Sequence, residues 1–72
     1  GFDDWRQMFV SVIEPALAAH ETRIAVTANE LAEMIMGQIE GAFVIAQAND
    51  DRDALVRASR YFRQHLQLLF AP

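Results

Sequence analysis

Between Leu31 and Ala48 the chain reads LAEMIMGQIEGAFVIAQA, with apolar or small residues at almost every position and two glycines four residues apart. The spacing is helical rather than alternating, and no Val/Ile/Thr-rich run bounded by turns suggests a strand. Projected at about 100° per residue, Glu33, Glu40 and Gln47 fall on one narrow polar strip. Leu31, Met34, Ile35, Met36, Ile39, Ala42, Phe43, Val44, Ile45 and Ala46 take up most of the remaining circumference, with Gln38 interrupting one side. A helix that is hydrophobic nearly all round is a buried helix.

The chain is too short to bury it unaided. At 72 residues it makes one domain at most, and a domain of that size hides only about 60% of the surface its unfolded form exposes. Its hydrophobic fraction of 53% exceeds the roughly 45–50% of ordinary globular domains. It has no cysteine, so neither disulfides nor thiolate metal sites reinforce a small core. Glycine within a helix costs about 0.5–1 kcal/mol relative to alanine. Gly37 and Gly41 lie on one side with Ala48, a shallow surface on which another helix backbone can come close. That neighbour is expected to be a second copy of the chain; the alternative is a helix of the same chain.

Two more helices flank this one. The first is expected from about Asp3 to His20, capped by Asp3 or Asp4. Its broad apolar face is Trp5, Met8, Phe9, Val12, Ile13, Ala16 and Leu17. Pro15 cannot donate to the carbonyl of Ser11, so a kink or short break is expected there. The stretch ETRIAV connects to helix two, which starts near Thr27, with Glu30 completing a capping box, and runs to about Ala48. Asn49, Asp50 and Asp51 form a turn, with Asp50 the expected N-cap of a third helix that ends near Phe70. That helix carries Leu55, Ser59, Phe62, Leu66, Leu69 and Phe70 on one face, and Ala54, Tyr61, His65 and Leu68 on a patch about 100° away. Two patches suggest two packing partners. The expected fold is all-α, its last two helices pairing with their copies as an intermolecular four-helix bundle in a homodimer.

The segment NELAEMIMGQIEGAFVIAQANDDRDALVRASRYFRQHLQLLF resembles the C-terminal end of TetR-family transcriptional regulators, most of all the branch with an LmrA/YxaF-type C-terminal domain. The resemblance rests on Ile39-Glu40-Gly41-Ala42, then Phe43-Val44-Ile45-Ala46, an Asn/Asp turn, and Asp53-Ala54-Leu55 opening the last helix. Gln47 stands where that pattern often has arginine. The resemblance implies that residues 1–72 are one helical domain, a fragment of the regulatory half, with the N-terminal helix-turn-helix domain absent. It implies dimerisation through the last two helices, a small hydrophobic effector lodged by the preceding ones, and repression of transcription in a bacterial cell. DNA would be contacted only through the missing N-terminal domain.

The expected dimer residues are Ile39, Gly41, Ala42, Ile45 and Ala46 of helix two and Leu55, Phe62, Leu66 and Leu69 of helix three. Trp5, Met8, Phe9 and Met34 are the candidate effector-pocket residues, since methionines and aromatics suit hydrophobic ligands, although such residues at helical spacing also read as plain core. The rival function is a free-standing helical adaptor that binds a partner helix.

Other chemistry finds little footing. Ser11 and Ser59 lack a nucleophile context, and there is no glycine-rich phosphate loop. Neither Glu14 nor Glu40 has a visible catalytic partner, so an enzyme is not expected. His20 and His65 lie on different helices, and no glutamate is followed by histidine at the Glu-x-x-His interval of di-iron bundles. No metal or cofactor is therefore expected. Arg57, Arg60 and Arg63 share a side of helix three, but with a net charge of −4 they read as a solvated face rather than a nucleic-acid site. Asp53 and Arg57 are spaced as an acid-first helical pair. Gly1 in place of a start methionine suggests a trimmed chain; the absence of a basic leader and of a spanning segment leads to a soluble, cytoplasmic expectation.

Overall fold

A computed structural model describes residues 1–72 and shows three helices: α1 (Phe2–Ala19), α2 (Ala28–Asn49) and α3 (Ala54–Leu69). Helix α2 packs against both α1 and α3, while no Cα of α1 comes within 8 Å of one in α3. The Cα envelope is a slab of 40 × 30 × 15 Å. Its radius of gyration is 13.4 Å, against about 11 Å for a compact domain of this length. The central, most apolar helix is covered by its neighbours on one side and open on the other.

Local chemistry sets most of the boundaries. Thr27 caps α2: its Oγ1 accepts from the Glu30 N–H at 3.0 Å, and the Thr27 N–H donates to Glu30 Oε1 at 2.9 Å. This reciprocal box satisfies two donors that a helix start leaves free. At the other end Asp50 takes the left-handed conformation, φ 48° and ψ 46°, and its N–H reaches the Ala46 carbonyl. Asp50 therefore terminates α2 rather than capping α3. Aspartate suits that role because its short polar side chain tolerates the left-handed region. Asp53 precedes α3 without a side-chain cap, and Asp51 Oδ1 accepts from the Asp53 N–H at 3.0 Å.

Helix α1 departs from expectation in three ways. Gly1 occupies its N-cap position, so neither Asp3 nor Asp4 caps it; both lie in the first turn, where carboxylates suit the positive helix end. The helix also runs unbroken through Pro15 to Ala19. Ser11, whose carbonyl loses its usual donor, turns its hydroxyl to the Met8 carbonyl at 2.7 Å. Lastly, the core arc is rotated: Val10 and Ile13 are buried, whereas Val12 is 71% exposed and Met8 is also exposed. Val10, Ile13, Leu31 and Ala32 form the core cluster, with Phe9, Leu17, Ile35, Phe62, Leu66 and Leu69 packed around it.

The connection from α1 to α2 is pinned to the end of α3. The Arg23 N–H donates to the Leu69 carbonyl at 2.8 Å. Its guanidinium reaches the backbone oxygens of Ala71 at 3.4 Å and Pro72 at 3.0 Å. His20, just past α1, sits edge-on to Phe70 with ring centroids 6.4 Å apart. Arginine at the carbonyl end of a helix satisfies orphan acceptors and complements the dipole.

Candidate self-association face and apolar cavity

Contact with its two neighbours sorts the residues of α2 into arcs. Leu31, Ala32, Met36 and Ala42 are buried, and Ile35, Ile39 and Ala46 half-buried. On the opposite side Met34, Gly37, Gly41, Val44, Ile45 and Ala48 are all exposed. Their spacing of three and four residues places them on one arc about 100° wide along the helix. A Cβ built on Gly37 or Gly41 would meet nothing within 4 Å. The glycines therefore admit no helix of the same chain.

The nine expected dimer residues divide accordingly. Gly41 and Ile45 stand on the open arc, with Ile45 50% exposed. Ala42 is only 3% exposed, already enclosed by its own chain. Ile39, Ala42, Leu55 and Phe62 line a groove of about 210 Å³ where α2 meets α3, while Ala46 is half-buried on the covered side. Leu66 and Leu69, with Phe62, pack on the chain's own core cluster. The α3 patch left open is instead the second one, Tyr61, His65 and Leu68. Tyr61 and His65 have ring centroids 4.5 Å apart, and His65 Nδ1 lies 2.9 Å from the Tyr61 carbonyl oxygen.

The four candidate pocket residues do not converge. Trp5 and Phe9 meet edge-to-face at 6.3 Å on α1, with Phe9 half-buried against the core and Met8 exposed. Met34 lines a separate half-open cavity of about 280 Å³ between the 23–26 connection, α2 and α3, which none of the other three borders. Sequence spacing did not show this cavity, because its walls come from three segments far apart in the chain.

The charged groups are local structure. Arg57 forms its ion pair with Asp51, not Asp53: the guanidinium contacts both carboxylate oxygens, one at 3.3 Å. The hydrogen bond from Arg57 holds the Asp51 carboxyl below its ordinary value, and the same contact raises the Arg57 guanidinium. The Thr27 N–H lowers the Glu30 carboxyl in the same way. Arg6 bridges α1 to α2, holding Asp3 at 2.7 Å and Glu33 at 3.3 Å. No three His, Asp or Glu side chains gather in a metal-binding group, and no helix is long and apolar enough to cross a membrane.

Three helices and no strand, with an apolar arc of α2 left open, define an all-α domain. Consistent with that class, the family model described as the tetracyclin repressor-like, C-terminal domain matches residues 1–62. The chain belongs to that family, whose C-terminal domains are the ligand-binding and dimerisation region of transcription regulators. No curated protein and no solved structure matches it.

Proposed function

We propose that this chain forms the dimerisation and effector-binding portion of a ligand-responsive transcriptional repressor, of the LmrA/YxaF-like branch and acting in the bacterial cytoplasm, with DNA binding residing in a separate N-terminal domain. The observation that carries the dimer is the open arc of α2, where the Cβ positions of Gly37 and Gly41 face empty space. Surface area supports it. The chain exposes 5534 Å², roughly 1,000 Å² more than a self-contained monomer of its mass. A standard interface removes about 800 Å² per partner, which a slab face of 40 × 30 Å can supply. Met34, Gly37, Gly41, Ile45 and Ala48 form the centre of the proposed contact, flanked by Tyr61, His65 and Leu68 of α3. In a two-headed regulator an effector acts by binding one head spacing better than the other, since equal affinity shifts nothing.

Sedimentation equilibrium tests the dimer. The chain is expected at twice its monomer mass, and Gly41→Leu, which places a branched side chain on the contact, is expected at monomer mass. An unchanged mass for the variant removes Gly41 from the interface, and a monomeric parent chain removes the dimer.

A further inference from the structure

The half-open cavity between the 23–26 connection, α2 and α3 has the composition of a ligand site. Its walls are apolar, drawn from Ile24, Val26, Met34, Leu66 and Leu68 among others, and His65 and Arg23 are its two polar residues. Its volume is about 280 Å³. An apolar cavity of about 150 Å³ already holds benzene, so a substituted monocyclic molecule fits.

The polar pair narrows the chemistry. His65 Nδ1 is 2.9 Å from the Tyr61 carbonyl oxygen, a hydrogen bond only when Nδ1 carries the proton. In the neutral ring Nε2 is then an acceptor. Arg23 is already directed to the Ala71 and Pro72 backbone oxygens, and the carbonyl end of α3 beside it disfavours an anion. A carboxylate would call on the remaining Arg23 donors instead, so tighter binding of 4-propylbenzoate than of 4-propylphenol overturns the choice of an uncharged ligand. A neutral molecule with one hydroxyl donor satisfies Nε2 and leaves the apolar walls dry.

We infer that this cavity binds small uncharged aromatic alcohols of the phenol class, the ring seated among Ile24, Val26 and Leu68 and the hydroxyl donating to His65 Nε2. This deepens the effector-binding half of the proposed function and rests on that reading. Met34, His65 and Leu68 belong both to this cavity and to the proposed dimer contact, so sedimentation equilibrium is run on each variant beside the titration, and an unchanged mass assigns a loss of binding to the cavity itself. Filling the site would brace the connection after α1 against the last turn of α3, two parts otherwise joined mainly through Arg23.

The test is a methyl NMR titration of the chain at pH 7.5 with 4-propylphenol and its methyl ether 4-propylanisole, which keeps the apolar body and lacks the donor. The expected result is shifts at Ile24, Val26 and Leu68, with the phenol bound about fivefold more tightly, as one ordinary net hydrogen bond provides. His65→Phe keeps a ring at an exposed position and is expected to equalise the two probes. Leu68→Trp, also at an exposed position, narrows the cavity and is expected to weaken both. Equal binding by the parent chain, or a preference that survives His65→Phe, overturns the recognition of the hydroxyl. Absence of shifts at these methyls, both in the dimer and in a chain diluted to monomer mass, overturns the site.

Discussion

Arg57 on the first turn of α3 closes on Asp51, six residues earlier and outside the helix, rather than on Asp53 four residues before it. The pair ties the start of α3 to the turn that reverses the chain after α2. Because Asp51 also accepts the Asp53 N–H, one carboxylate serves both as a turn acceptor and as an ion-pair partner.

That dual use predicts an acid dependence. The Asp51 carboxyl is held below its ordinary value of 3.8 in the folded chain. A carboxyl lowered by folding contributes stability in full above its unfolded value, and loses it as pH falls through the folded value. Glu30, lowered from 4.5, acts with the same sign. Stability of the parent chain should therefore fall as the solution is acidified below about pH 4.5. Asp51→Asn should lower the urea midpoint at neutral pH and flatten the acid fall. Parallel midpoint curves for the two proteins from pH 7 to pH 3 would show that Asp51 contributes nothing.

The capping box at Thr27 gives a second expectation. Replacing a threonine N-cap by alanine typically costs about 1 kcal/mol, and here it frees the Glu30 N–H while leaving in place the residue-27 backbone N–H that holds the Glu30 carboxylate. Thr27→Ser keeps the hydroxyl and should retain most of the stability. Urea denaturation at fixed protein concentration reads both variants, and equal midpoints for Ala and Ser would remove the cap from the argument.

What was readable in the sequence follows how local the physics is. The α2 start was legible because Thr27 and Glu30 satisfy each other within a single turn. The end of α2 was not, because Asp50 suits a helix start as well as a left-handed stop, and only the direction of the following chain decides. Apolar residues on adjoining arcs obscure the phase of α1, so the spacing predicts Val12 inward where the structure buries Val10. On α2 the same ambiguity was nearly total. A helix apolar almost all round predicts burial without saying which arc meets which neighbour, so the pattern places Ala42 at a partner although its own chain encloses it. The cavity lined by Arg23, Met34 and His65 had no periodic signal at all.

The rotated phase of α1 can be checked directly. Val10 is 6% exposed, so Val10→Ala should cost about 1–3 kcal/mol through lost burial and an unfilled space. Val12→Ala should stay within about 0.5 kcal/mol, the usual range for surface changes. Leu31, central to the same cluster at 3% exposure, should cost about 2–5 kcal/mol as Leu31→Ala, a large share of the stability of so small a domain. Circular dichroism during urea titration separates the three. Equal losses for the two valines would refute the assigned phase.

The glycine face permits a sharper test than adding bulk, because alanine at these positions has opposite consequences in one chain and in two. Within the single chain, a methyl group on Gly37 or Gly41 meets nothing, and both residues have ordinary helical φ. Gly37→Ala and Gly41→Ala should therefore each raise the stability of α2 by up to about 1 kcal/mol through helix propensity. If a partner helix rests on this surface, the same methyl groups push it away and weaken association. The double variant is expected to show more residual helix at low protein concentration and a higher dimer dissociation constant, two changes of opposite sign in one protein. Circular dichroism at micromolar concentration reads the first, and sedimentation velocity across a concentration series reads the second. Alanines that raise helicity while leaving association unchanged would mean that the open arc of α2 is not where two chains meet.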